Sequence, residues 1–175
     1  TEQVDVLELI RETWREVGIK IFVKQTQRDS FRKRVFSGET MMAVWSGLEN
    51  AIPSADMSPD DLAPISQQQL QWPKFGQYNE TQGKLGVAPD IPEAIELLQL
   101  YALWRNATSV AERTRIWQRM LKIHADQQFV IGTVNGVPQP VVARSNLMNV
   151  PEKGLYNWDP GAYFAIYRID SLWFK

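Results

Sequence analysis

The side chains able to do chemistry are few and poorly matched to one another. His124 is the single histidine, so no two-histidine metal motif exists in the chain. It lies at helical spacing from Trp117 and Leu121, which reads as a core or boundary histidine. A general base would need an orienting partner that the sequence does not supply. Ser46-Gly47 lacks the flanking glycines of a nucleophile elbow. Gly83 and Gly86 are not followed by Gly-Lys-Ser/Thr and no strand precedes them, so they are not a phosphate-cradling loop. With no cysteine in the chain, disulfides, thiolate nucleophiles, iron–sulfur clusters and cysteine-based zinc sites are excluded.

Two charged clusters remain. Asp56, Asp60 and Asp61 surround Pro59 and read as helix capping and first-turn charge rather than as a calcium site or a carboxylate pair. Arg28, Arg32, Lys33 and Arg34 read as the solvated face of a short helix, since no aromatic platform interleaves with them. The formal net charge of -1 argues against a nucleic-acid or anionic-membrane partner held by long-range attraction. Aromatic chemistry is better supplied, with seven tryptophans. Trp14, Trp104 and Trp117 fall on helical stripes. Trp45, Trp72 and Trp158 fall at a strand end or in loops, where a ring can stack on a ligand.

The elements that would position these groups follow from periodicity. In a 175-residue chain with 44% apolar and 22% charged residues, a core is expected and disorder is not. Val6, Ile10, Trp14 and Val17 make a helical stripe closed by Gly18. Ile19, Ile21 and Val23 then alternate as in a strand. Asp29 is placed to cap a short helix that runs to about Phe36 and ends at Ser37-Gly38. Met41 to Trp45 reads as a buried strand. The region from Glu49 to Pro92 is dense in proline and glycine, which predicts an ordered but irregular loop with one or two helical turns at Asp60–Ile65.

Two helices follow. Pro92 opens the first, whose face is expected to carry Ile91, Ile95, Leu98 and Ala102, with Leu97, Tyr101 and Trp104 beside them. Ser109 and Glu112 form a capping box for the second, which continues through Trp117, Leu121 and His124 with Ile116, Met120 and Ile123. Phe129–Val134 and Val141–Ala143 read as strands around Asn135-Gly136, and Tyr163–Ile169 as a last strand. No run of about 18 apolar residues is present to span a membrane. The start at Thr1 has neither an initiator Met nor a signal-like segment, and the first helix has no strand before it. Both suggest a piece cut from a longer protein.

This order of elements resembles the family 5 solute-binding proteins, which take oligopeptides, dipeptides, nickel chelates or some oligosaccharides. "LELIRETWREVGIKIFV" (7–23) is similar to their helix-then-strand segment. "FRKRVFSGETMMAVWSGLEN" (31–50) is similar to their short helix, turn, and strand ending in an aromatic at the ligand cleft. "AERTRIWQRMLKIHADQQFVIGTV" (111–134) resembles the late helix leading into a strand, and "NVPEKGLYNWDPGAYFAIY" (149–167) the end of the C-terminal lobe. The resemblance covers nearly the whole chain through order, spacing and ending rather than through one motif.

The resemblance implies an α/β fold, a mixed sheet flanked by helices, with residues 1–175 forming one lobe of a two-lobed clamp. It implies a non-enzymatic binding component of a bacterial ABC importer, periplasmic or extracytoplasmic, with no cofactor or metal. Its partners would be a peptide or similar ligand, the permease subunits and the N-terminal lobe of the same chain, with no nucleic acid. Many peptide-binding members carry Asp-Tyr, and a proline soon after, just past the strand aromatic. Here Leu48 or Glu49 occupies the place of that Asp, with Pro53 following, so an oligosaccharide is the alternative ligand. Ligands of open α/β sheets sit beyond the carboxyl ends of strands, which nominates Trp45, Ser46, Glu49 and Asn50. The rival readings are a hydrolase using Ser46 or a carboxylate pair, and a stand-alone interaction domain. A lobe without its partner is also expected to self-associate or to melt low.

Overall fold

The structure is a computed structural model that describes residues 2–45, 47, 54–134, 140–154 and 169–175. The chain forms two compact units, Thr1–Ala43 and Val44–Lys175.

In the first unit, α1 spans Glu2–Glu16. Val6, Ile10 and Trp14 are half-buried along one face, whereas Glu12 and Arg15 pair at 3.0 Å on the exposed one. The helix ends where the sequence places its stop. Gly18 adopts φ 84°, and the amides of Gly18 and Ile19 donate back to the carbonyls of Arg15 and Trp14. α2 spans Arg28–Phe36 and closes at Ser37-Gly38. Its N-cap is Gln27, not Asp29, which sits in the first turn where its charge still favours the helix dipole. Between the helices Ile19–Val23 is not a strand, and Phe22 is 79% exposed.

The second unit holds the main core. A 3₁₀ turn at Asp60–Leu62 is followed by α3 (Pro73–Glu80), α4 (Pro92–Asn106) and α5 (Val110–Gln127). α4 and α5 pack against each other, and α5 packs against the 3₁₀ turn. Leu62, Ala63, Trp72, Leu97, Ala107, Ile116, Trp117, Met120 and Ile123 are buried together between these elements. One half of the capping box forms: Ser109 Oγ accepts from the Glu112 amide at 3.2 Å, while the Glu112 carboxylate accepts from the amide of Thr108, one residue before the cap. Gln128, at φ 50°, stops α5.

Two sequence expectations about the helices change here. α4 buries Ala94 and Leu97 and half-buries Leu98, Tyr101, Trp104 and the N-cap Ile91, whereas Ile95 and Ala102 of the expected face are exposed, Ile95 at 41%. The region expected to be irregular contains α3, which begins with Pro73 in its first turn, where the missing amide costs nothing.

The mixed sheet is the largest difference. The described residues hold five helices and one two-stranded antiparallel ladder, β1 (Leu147–Met148) with β2 (Trp173–Phe174), in register Leu147↔Phe174 and Met148↔Trp173. Met41–Trp45, Phe129–Val134 and Val141–Ala143 carry no strand. The physical reason is pairing. A β-prone segment gains its stability from a neighbour that takes its amides and carbonyls, and propensity alone does not hold it. Among the described residues no such neighbour lies beside these segments. The expected strand Tyr163–Ile169 lies outside the described residues up to position 168, and Ile169 opens a 3₁₀ turn. Asn135-Gly136 also lies outside them.

Candidate functional site

Of the four nominated ligand residues, Trp45 is described and Ser46, Glu49 and Asn50 lie outside the described residues. Trp45 is 42% exposed. Its neighbour Val44 is 37% exposed, which corrects the expectation of a buried strand here. Beyond Ser54 the chain is tightly held.

Residues 55–62 are strapped down by side chains of α4 and α5. Trp104 Nε1 donates to the Ala55 carbonyl at 2.8 Å and Trp117 Nε1 to the Met57 carbonyl at 3.1 Å. His124 Nε2 lies 2.9 Å from the Leu62 carbonyl. A carbonyl only accepts, so Nε2 carries the proton in this hydrogen bond. Arg113 completes the strap. Its guanidinium pairs with Asp56 at 2.9 Å, donates to the Ala107 carbonyl at 3.1 Å and lies over the Trp104 ring. The strap fits a proline-rich segment. Pro59 and Pro64 break helical and sheet pairing, which leaves nearby carbonyls to be satisfied by side-chain donors.

These contacts assign roles to groups the sequence singled out. Asp56 is an ion-pair partner of Arg113, and Asp60 accepts from the Ser58 hydroxyl. Among the described residues no group of three or more potential metal ligands comes together. His124 packs edge-on against Trp72 and Phe129, with ring centres 5.7 and 5.8 Å away. Its role is to tie α5 to the 3₁₀ turn. Sequence reasoning saw Trp104, Trp117 and His124 as stripe members and missed the strap. A usable signal was there: buried indole and imidazole N–H groups require acceptors, and a proline-dense loop offers them.

Tyr101 sits beside the strap. Burial raises the affinity of its phenol for the proton; the hydrogen bond to Ser58 opposes this, and Asp60 reinforces it. The sign for stability follows. The folded state holds the phenolic proton more tightly than the unfolded chain, so this contribution is intact below the ordinary phenol pKa of about 10 and is lost as pH rises through the folded value. Alkaline melting curves should therefore fall less steeply for Tyr101→Phe than for wild type. Parallel curves would remove Tyr101 from the explanation.

The open depressions on the surface are unremarkable for ligand chemistry. One is lined by Glu80, Thr81, Gln82, Lys84 and Leu85 at the end of α3. Another lies in the first unit, between α1 residues such as Arg11 and Arg15 and the segment Ile19–Phe22. No helix among the described residues is long and apolar enough to cross a membrane.

Comparison with known proteins adds no relative. No family model matches the chain, no curated protein matches it, and no solved structure matches its fold. The functional reading therefore rests on the residues themselves.

Proposed function

We propose that this chain is the C-terminal lobe of a solute-binding protein of an ABC importer, a non-enzymatic component working outside the bacterial cytoplasm. Ligand would be held between this lobe and an N-terminal lobe, and the closed form would be delivered to the permease. A ligand that touches both lobes stabilises the closed state by its differential affinity for it.

The observation that carries the reading is the contrast within the chain. The second unit has a well-packed helical core, yet the chain also carries β-prone segments that remain uncovered: Met42 is 65% exposed and Val142 95%. Such segments suit a sheet completed by further chain. Trp45, 42% exposed at the end of one of them, suits a cleft wall that meets a ligand. The ligand is a peptide or, given the tryptophans and the missing Asp after Trp45, an oligosaccharide.

Calorimetric titration of the full-length protein with peptide and oligosaccharide pools tests this. Aromatic stacking contributes ~1 kcal/mol beyond burial and a charge-assisted hydrogen bond ~1.5–3 kcal/mol. Losing both through Trp45→Ala and Glu49→Gln should weaken binding by roughly two to three orders of magnitude, at about 1.4 kcal/mol per tenfold. Unchanged affinity in well-folded variants removes these residues from the cleft. Turnover of a peptide or glycoside, lost on Ser46→Ala, would establish a hydrolase instead.

A further inference from the structure

The segment after α5 is the most unusual surface in the second unit. Between Asp126 and Arg144 no charged residue intervenes. Val130 is 52% exposed, Ile131 57% and Val134 55%. Apart from a bend at Val130, residues 129–134 have no secondary structure, and among the described residues no backbone hydrogen bond ties Ile131–Val134 to another segment. A β-branched, uncharged and unpaired run is a template for strand pairing, and it lacks the charges that usually block such pairing.

We infer that this segment pairs antiparallel with the same segment of a second copy of the chain, about a two-fold axis through Gly132. Three observations favour a second copy over an unrelated partner. With no charge in the run, two copies meet without Coulomb repulsion, and a charged partner gains nothing there. The sequence is also self-complementary. In an antiparallel pair related by a two-fold axis normal to the sheet, facing residues have sequence numbers of equal parity, because side chains alternate between faces. Centring the axis on Gly132 sets Ile131 opposite Thr133 and, once the bend opens, Val130 opposite Val134. Every flanking pair is then β-branched against β-branched, a favourable cross-strand combination. Finally, the centre is open: a side chain built at Gly132 meets nothing within 4 Å.

One strand pair is a small interface, below the ~1,200 Å² of stable complexes, so the dimer is weak and depends on concentration. The inference is independent of the ligand reading, and its test uses no ligand.

The chain has no cysteine, so single introduced cysteines report proximity without interference. Across the axis the two copies of residue 132 lie about 4.5–5.5 Å apart between Cα atoms, within disulfide range. The two copies of residue 130 are offset by about 13 Å along the strands, beyond that range. Under mild oxidation over a concentration series, Gly132→Cys should therefore yield a covalent dimer. Val130→Cys and Val142→Cys alone should yield little, whereas mixing Val130→Cys with Val134→Cys should restore cross-linking. Far-UV circular dichroism checks that each variant keeps its helices. Equal cross-linking at all positions would mean unspecific association and would overturn the inference. So would a Gly132→Cys protein that stays uncross-linked and sediments as a monomer, the result expected if a different segment or protein covers this surface.

Discussion

Leu97→Ala is expected to destabilise the second unit by about 2–5 kcal/mol, the range for emptying a fully buried leucine site. Leu97 is fully buried on α4, amid Trp117, Met120 and Ile123 of α5 and Leu62 and Ala63 of the strapped segment. The loss has two parts. The removed methyl groups forfeit their transfer free energy, and the cavity left behind forfeits dispersion contacts wherever the walls cannot close. Here they close poorly. Trp117 is held by its hydrogen bond to Met57, and Leu62 by the hydrogen bond from His124. The upper half of the range is therefore expected, read as a lower midpoint in urea with an unchanged slope. Leu103→Ala is the control, since Leu103 lies on the same helix but is 57% exposed. Its effect should stay within about 0.5 kcal/mol. Similar losses for both variants would show that burial on α4 is not what holds the unit.

The same pair of leucines shows how far the helices were legible. Apolar spacing located α4 and α5, and Ser109-Glu112 fixed the start of α5 because a capping box joins two residues close in sequence. The face of α4 was harder to assign. Ile95, Leu97, Leu98 and Leu103 encircle the helix, so periodicity does not choose a side. The choice is made by α5 and the strap, which meet α4 at Ala94, Leu97 and Trp104.

Strands were the least legible elements, for a related reason. Ile19–Val23 and Phe129–Val134 have β-type composition, but a strand is a relation between two segments. Composition reports willingness to pair and is silent on whether a partner lies alongside. The ladder that does form, Leu147–Met148 with Trp173–Phe174, was signalled by no alternation because it is two residues long. For the candidate site, the apolar run Met41–Trp45 was read as a buried strand, whereas Trp45 is 42% exposed. The strap was not legible, since Trp104 to Ala55 and Arg113 to Asp56 join positions far apart in sequence.

Gly76→Ala is expected to cost roughly 3 kcal/mol, although alanine at a helical position ordinarily gains about 1 kcal/mol over glycine. Gly76 is buried where α3 crosses residues 65–67, and an added methyl group would run into the backbone of Ser66 and Gln67. Neither neighbour is a flexible side-chain end, so relief requires the helix and the turn to move apart. That movement breaks the hydrogen bonds joining them. Glu80 accepts from Ser66 Oγ at 2.7 Å and from the Gln67 amide at 2.9 Å, and Asn79 Nδ2 donates to the Ile65 carbonyl at 3.0 Å. Overpacking costs about 1–3 kcal/mol and each lost hydrogen bond about 1 kcal/mol, which together outweigh the helix gain. Gly132→Ala, in open space, should leave the melting temperature of dilute protein unchanged. The loss should also reach the strap, because Ile65 follows Leu62 by only three residues. Hydrogen exchange at the amides of residues 57–67 should accelerate in Gly76→Ala while α1 is unaffected. An alanine variant as stable as wild type would mean that α3 and the 65–67 turn separate freely, and the close approach at Gly76 would then not constrain the fold.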